Sequence, residues 1–197
     1  MRRSAKAALS ALLLLPAVCF SQFKKYSNEF MNIGAGARGL AAEGRGDDVG
    51  RQHRQGDAEE EARKFVQYLL QNKITKPACF LLGGETTVTV EGAGKGGRNQ
   101  QFALAALHEL IRSNVSEENF PIILAAGTDG TDGPTEAAGA IAGINVFQRM
   151  KAASLNAEMY LNNNDAYHFF QQTGGLFITG PTQTNVMDII VAIVNNR

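Results

Sequence analysis

Cysteine is scarce in this chain of 197 residues: Cys19 and Cys79 lie far apart and lack metal-ligand spacing. The three histidines, His53, His108 and His168, are just as scattered. Both facts argue against a disulfide framework or a structural zinc site. Neither sign of charge is in excess, since 19 Lys and Arg balance 19 Asp and Glu. Nucleic acid or a charged membrane surface is therefore not implied as a partner. Long hydrophobic runs are missing too: the apolar stretch from Ala7 to Val18 is too short for a transmembrane helix. There is no internal repeat. What is present is ample core material, 44% hydrophobic residues, in a length that suits one ordinary domain.

The N-terminal segment differs from the rest. Met1 to Phe20 carries Arg2, Arg3 and Lys6 ahead of its apolar stretch, which resembles a secretory signal peptide cleaved near Ala17 or Cys19. No acid precedes Glu29, so a mitochondrial transit peptide fits as well, and an imperfect gene start is a third reading. From Asn32 to Gly56 the chain is rich in Gly and Arg and poor in large apolar residues, and cannot bury much surface. Residues 1–56 read as a presequence-like, low-complexity lead-in expected to be disordered. Residues 57–197 read as the ordered domain.

Within that domain, Asp57-Ala58-Glu59-Glu60 looks like a helix start, with an apolar face of Phe65, Val66, Leu69 and Leu70 reaching about Asn72. Ala78 to Leu82 is a continuous apolar run suited to a buried strand. The alternating Thr86-Thr87-Val88-Thr89-Val90 predicts another strand, because β-branched side chains favour extended backbone. A long helix follows, with Phe102, Leu104, Ala105, Leu107, Leu110 and Ile111 at helical spacing and an end near Ser113. Phe120 to Ala126 predicts a strand. Helices are expected around Thr135–Ala142, Asn145–Ala153 and Asp165–Gln172, and short strands at Leu176–Thr179 and Asp188–Val194. Strands alternating with helices indicate an α/β domain, here expected as a three-layer-like arrangement around a mixed sheet.

The candidate chemistry lies where apolar strands end. The loop holding Gly92, Gly94, Gly96 and Gly97 joins a strand to a helix N-terminus. Glycines at positive φ and unpaired helical N–H groups form a common anion cradle, and Lys95 and Arg98 add positive charge. A solvated basic turn is the plain alternative. Gly92, Gly94 and Gly97 satisfy G-x-G-x-x-G, but the acids Glu117 and Glu118 precede the next strand, which weakens a dinucleotide reading. Walker A fails because Gly96 follows Lys95, and no H-R-D kinase signature is present. Asp129 and Asp132, three apart among glycines and hydroxyls, can hold Mg²⁺ or take a proton from an attacking hydroxyl. Equally, they can form turns or cap a helix. Asn164 or Asp165 can cap the helix of Tyr167, Phe169 and Phe170. The hydroxyl- and amide-rich turn from Thr179 to Asn185 can contact phosphate or satisfy its own backbone.

Four ordered stretches, GGETTVTVEGAGKGGRNQQ, GTDGTDGPTEAAGA, NNDAYHFF and TGPTQTNVMD, resemble the C-terminal MOFRL domain of the type II glycerate 2-kinases. The resemblance covers about Asp57 to Arg197. It implies a cytoplasmic transferase using ATP with Mg²⁺ to phosphorylate D-glycerate to 2-phosphoglycerate, with a cleft shared between this domain and a larger N-terminal one. It implies catalytic roles for Arg98, Lys95, Asp129 and Asp132, with the two aspartates as metal ligands. Substrate-binding positions would be Glu85, Thr86, Gly96, Gly97, Asn99, Asn164, Asp165, Thr184 and Asn185. Gln101 departs from the family pattern, which usually has Glu there. Nothing before Asp57 resembles the N-terminal domain, so the chain is expected to be inactive alone. The expected partners are D-glycerate, ATP, and that absent domain or a full-length subunit. The alternative is a non-catalytic anion-binding or regulatory module that pairs with a full-length kinase subunit.

Overall fold

An aspartate followed by a glutamate run opens the first helix. Asp57 accepts hydrogen bonds from the backbone N–H groups of Glu59 (3.0 Å) and Glu60 (3.2 Å), capping helix α1, Ala58–Gln71. Glu59, Glu60 and Glu61 in its first turn suit the positive end of the helix dipole. The computed structural model describes residues 56–72 and 78–194. The expectations for the N-terminal segment therefore fall outside the described residues, Gly56 excepted.

After α1 come strand β1 (Ala78–Gly84), helix α2 (Arg98–Arg112), a 3₁₀ turn (Glu117–Asn119), and strands β2 (Ile122–Gly127) and β3 (Gly139–Ala142). Helices α3 (Ile144–Ala152), α4 (Ala157–Asn162) and α5 (Ala166–Thr173) follow, then strands β4 (Leu176–Phe177) and β5 (Asp188–Val194). The strands form one sheet in the order β1-β5-β2-β3-β4. The α/β class holds, and within it every strand pair is antiparallel, not mixed. Among the described residues, the parallel pairing is an isolated bridge between Asp57 and Thr87.

Strand register decides which side chains are buried. The rows Phe80–Ala192–Ile123–Ala142 and Leu82–Ile190–Ala125–Ala140 lie across four strands and are buried throughout. All five α-helices of the described residues join these rows in one core cluster. The alternate row, Leu81–Val191–Leu124–Ile141, points to the opposite face and is only partly buried. Among the described residues the arrangement is thus two layers, where three were expected. Helix α2 is the centre of the helical layer and packs against α1, β2, β3, α4 and α5. Its apolar residues from Phe102 to Leu107, with Leu110, are buried, so it is enclosed well beyond a single stripe.

Two predicted elements changed identity. Thr86 to Val90 makes no sheet ladder, although its propensity favours one. Its backbone groups are taken elsewhere: Thr87 N–H donates to Gly56 O (2.9 Å), Thr87 O accepts from Ala58 N–H (2.8 Å), and Thr89 O accepts from the Asn164 amide (3.2 Å). A helix was expected around Thr135–Ala142. Its second half instead forms β3, where small residues pair with Ile123 to Ala126 in the sheet. Tertiary pairing overrides local propensity there. The short α4, capped by Asn156 through Glu158 and Met159 N–H, lacked a long apolar period and was not foreseen. Among the described residues, no helix is long and apolar enough to cross a membrane.

Because α2 is the hub, its largest buried side chain should dominate stability. Phe102 is buried beside Phe65, ring centroids 6.4 Å apart. Phe102→Ala should cost about 3–5 kcal/mol, read as a lowered urea midpoint with the far-UV spectrum of the surviving fold unchanged.

Candidate functional site

One end of the sheet gathers the polar loops. β1 and β2 end there at Gly84 and Gly127, and both pair with Asp188, the first residue of β5. The segments 85–97, 128–138 and 178–187 leave from this end, and α2 begins beside them. Arg98, its first residue, reaches across to Asp188 with two bonds: Nε to Oδ2 at 2.7 Å and Nη2 to Oδ1 at 3.0 Å. Its Nη1 lies 3.7 Å from Glu85 Oε1. The Asp188 side chain is 4% exposed, that of Arg98 37% and that of Glu85 53%. The hydrogen bond to Asp188, then the charges of Asp188 and Glu85, raise the Arg98 pKa further above its ordinary value, despite partial burial. Arg98, Glu85, Thr86, Thr87 and Gly56 line an open cavity of about 430 Å³.

The glycine loop is built differently from an anion cradle. None of Gly92, Gly94, Gly96 and Gly97 is among the positive-φ glycines. Gly92 and Gly94 are small because another part of the chain lies against them: a Cβ would come within 2.3 Å and 2.4 Å of the Asn163 backbone. The Asn163-Asn164-Asp165 turn binds this loop along its length. Asn164 Oδ1 accepts from Glu91 N–H (2.8 Å) and Gly92 N–H (2.9 Å), Asn163 Oδ1 from Ala93 N–H (3.1 Å), and Asp165 Oδ1 from Lys95 N–H (2.9 Å). Asp165 also meets His168 Nδ1. Asn164 and Asp165 therefore hold the loop's backbone. The cap expected from them for the Tyr167 helix is not formed by the Asp165 side chain.

Asp132 likewise has a role other than metal binding. It is 3% exposed, and its Oδ1 accepts from Asn99 N–H (3.0 Å) and Asn99 Nδ2 (3.2 Å). Its Oδ2 accepts from Gln100 N–H (2.8 Å) and Gln100 Nε2 (3.0 Å). Gly97, the N-cap residue of α2, has no side chain to offer, so Asp132 supplies the anion for that helix end. The positive terminus expected to hold phosphate is already filled. Burial pushes the Asp132 carboxyl up, against the pull of these four donors. Asn99, buried with it, belongs to the same cap.

The remaining expected residues divide between two places. Lys95 Nζ stands 4.2 Å above the Tyr167 ring, whose hydroxyl donates to Glu136. This is a separate cluster from the residues lining the cavity. Asp129 Oδ1 closes a turn through Thr131 N–H (3.0 Å) and Thr131 Oγ1 (3.2 Å). Thr184 N–H donates to Thr182 Oγ1 (3.3 Å), and Asn185 Oδ1 accepts from Met187 N–H (3.0 Å), so this turn satisfies its own backbone. Gln101 is buried and bridges Glu59 and the Leu161 carbonyl. Among the described residues, no group of three or more His, Cys, Asp or Glu converges as a metal set. With Asp132 enclosed and Asp129 engaged in its turn, the arrangement does not suit the Mg²⁺ role expected of this pair.

Of the expected site residues, Glu85, Thr86 and Arg98 come together at the cavity. Asp188 was missed. It stood in plain view as the last residue of TGPTQTNVMD, an acid heading an otherwise apolar strand, and that incongruity was the available signal.

The sequence profile of the MOFRL family matches residues 78–188, which takes in β1 through the first residue of β5. The chain belongs to the MOFRL family. A D-glycerate 2-kinase of Thermotoga maritima is 41% identical over 142 residues, covering 68% of this chain and 32% of that protein. A glycerate kinase of Mus musculus is 44% identical over 126 residues, covering 62% of this chain and 24% of that protein. A crystal structure of the Thermotoga maritima glycerate kinase aligns with a TM-score of 0.64 at 41% identity, over 71% of this chain and 34% of that one. The MOFRL chain thus spans about a third or less of these relatives' length, matching their C-terminal part.

Two substitutions test the structural assignments. Asn164→Ala removes two acceptor contacts, to Glu91 and Gly92 N–H, and one donor contact, to the Thr89 carbonyl. It should cost about 1–3 kcal/mol and speed amide exchange at Glu91 and Gly92 while α2 amides stay protected. Asp132→Asn places an amide against N–H donors and should also cost about 1–3 kcal/mol. Added Mg²⁺ should leave the melting of the parent chain unchanged, whereas a metal-dependent rise would return Asp132 to the metal role.

Proposed function

We propose that this chain supplies the Arg98 side of a glycerate kinase active site, and that turnover requires the kinase portion its relatives carry outside the matched region. The observation that carries this reading is the Arg98 guanidinium on the wall of an open polar cavity, within the segment that matches the MOFRL family. In the proposed reaction a hydroxyl oxygen of D-glycerate attacks the γ-phosphorus of ATP. The bond to the bridging oxygen of ADP breaks, and 2-phosphoglycerate forms. Such transfer depends on positioning and charge neutralisation more than on covalent chemistry. Arg98 fits that requirement: its Nη1 side faces Glu85 and the cavity, where a carboxylate or phosphoryl oxygen can take a charge-assisted hydrogen bond. Asp132 is enclosed by four donors, so no step is assigned to a metal held by the Asp129–Asp132 pair.

A shared cleft also accounts for the surroundings. Val90 (68% exposed), Ile178 (57%) and Val186 (68%) stand out on two of the three segments that leave the site end of the sheet, 85–97 and 178–187. Large apolar side chains on polar loops around a cavity suit a rim covered by a second body. We place the assembly in the cytoplasm, as the family resemblance implies.

The test is ADP release from MgATP and D-glycerate, using the full chain alone and mixed with the non-matching portion of the Thermotoga maritima relative. The expected result is no glycerate-dependent turnover alone and turnover in the mixture, lost with Arg98→Ala. Turnover by the chain alone would overturn the shared-cleft reading. Turnover in the mixture that survives Arg98→Ala would remove Arg98 from the site. A mixture that binds D-glycerate without turnover would favour a binding module.

A further inference from the structure

Arg98 meets two carboxylates, and they are unlike. Glu85 is exposed and, at 3.7 Å, beyond hydrogen-bond distance. Asp188 is buried and sits on β5, the strand between β1 and β2. Its neighbours across the two ladders are Gly84 and Gly127, which carry no side chain. The carboxylate is therefore met by Arg98, coming from the helical layer. Two near-parallel bonds, 2.7 Å and 3.0 Å, engage Nε and Nη2. A contact of that form defines the plane of the guanidinium, where a single bond would constrain only its charge.

We propose that Asp188 is a positioning residue: by holding Nε and Nη2 it fixes the Arg98 plane so that Nη1 is presented to an anionic oxygen entering the cavity. This rests on the reading of Arg98 as the anion-binding group. The role has a signature in sign. Asp188 carries negative charge beside the anion's seat, so a group acting only through charge would weaken anion binding, and its removal would tighten it. A positioning group does the opposite, because losing the second bond frees the guanidinium to rotate away.

The experiment titrates the full chain with D-glycerate and, separately, with inorganic phosphate. Binding is followed by the Nε–Hε NMR cross-peak of Arg98, identified by its loss in Arg98→Lys, and by calorimetry. The parent chain should show a slowly exchanging cross-peak that shifts with ligand. Asp188→Asn should broaden it and weaken binding by about tenfold, the scale on which partners that orient a ligating group act elsewhere. Asp188→Glu keeps the charge but moves the carboxylate by one methylene, and should weaken binding too. It provides the test if the asparagine variant fails to fold. Binding as tight as the parent's, or tighter, in a folded Asp188 variant would overturn the positioning role while leaving Arg98 in place. Unchanged affinity in Arg98→Lys would argue that the guanidinium fork is not used, and would overturn the positioning role through that route. A parent chain whose Arg98 cross-peak responds to neither anion would overturn the anion site itself.

Discussion

The N-terminus of α2 is held by a carboxylate from a loop more than thirty residues further along the chain. That contact organises the domain. An enclosed helix end leaves N–H groups that water cannot reach, and an uncapped one would oppose the burial of α2. With Asp132 bound to Asn99 and Gln100, the helix can be enclosed at its first turn and still start at the site end of the sheet. Arg98 stands one residue before the capped pair. The cap thus fixes the root of Arg98, while the charge available for a ligand remains on the guanidinium.

The glycine loop follows the same economy. Its backbone donors are taken by Asn163, Asn164 and Asp165, and its missing side chains make room for that turn. What looked like a surface shaped for a ligand is an internal contact between two segments about seventy residues apart. The loop held in this way leads directly into α2. Lys95, carried on the same loop, turns to the Tyr167 ring, so the two basic residues of the motif serve different neighbourhoods.

Much of this fold was legible in the sequence. The α/β class, α1, α2, β1, β2 and β5 follow from apolar period, caps and turn chemistry, which are local signals. Thr86 to Val90 and Thr135 to Ala142 were misjudged because their fate is decided by which partner backbone is within reach. Propensity cannot register that. The same limit governs the site. Arg98 and Glu85 were visible as charged residues in a dense motif. Asp132 was visible too, but acids among glycines look alike whether they bind a metal, close a turn or cap a helix already made. The Arg98–Asp188 pair, ninety residues apart, required the sheet register before it could be seen.

The placement of β5 has a consequence for how the molecule is made. β5, the last of the described strands, lies inside the sheet between β1 and β2, and it supplies the inner row residues Ile190 and Ala192. During synthesis β1 therefore has no neighbour in this sheet until β5 has emerged, and until then β2 has β3 on one side only. Non-local pairing of this kind is slow, and it leaves unpaired strand edges exposed while the chain waits. Loss of the final strand would split the sheet in two instead of trimming an edge.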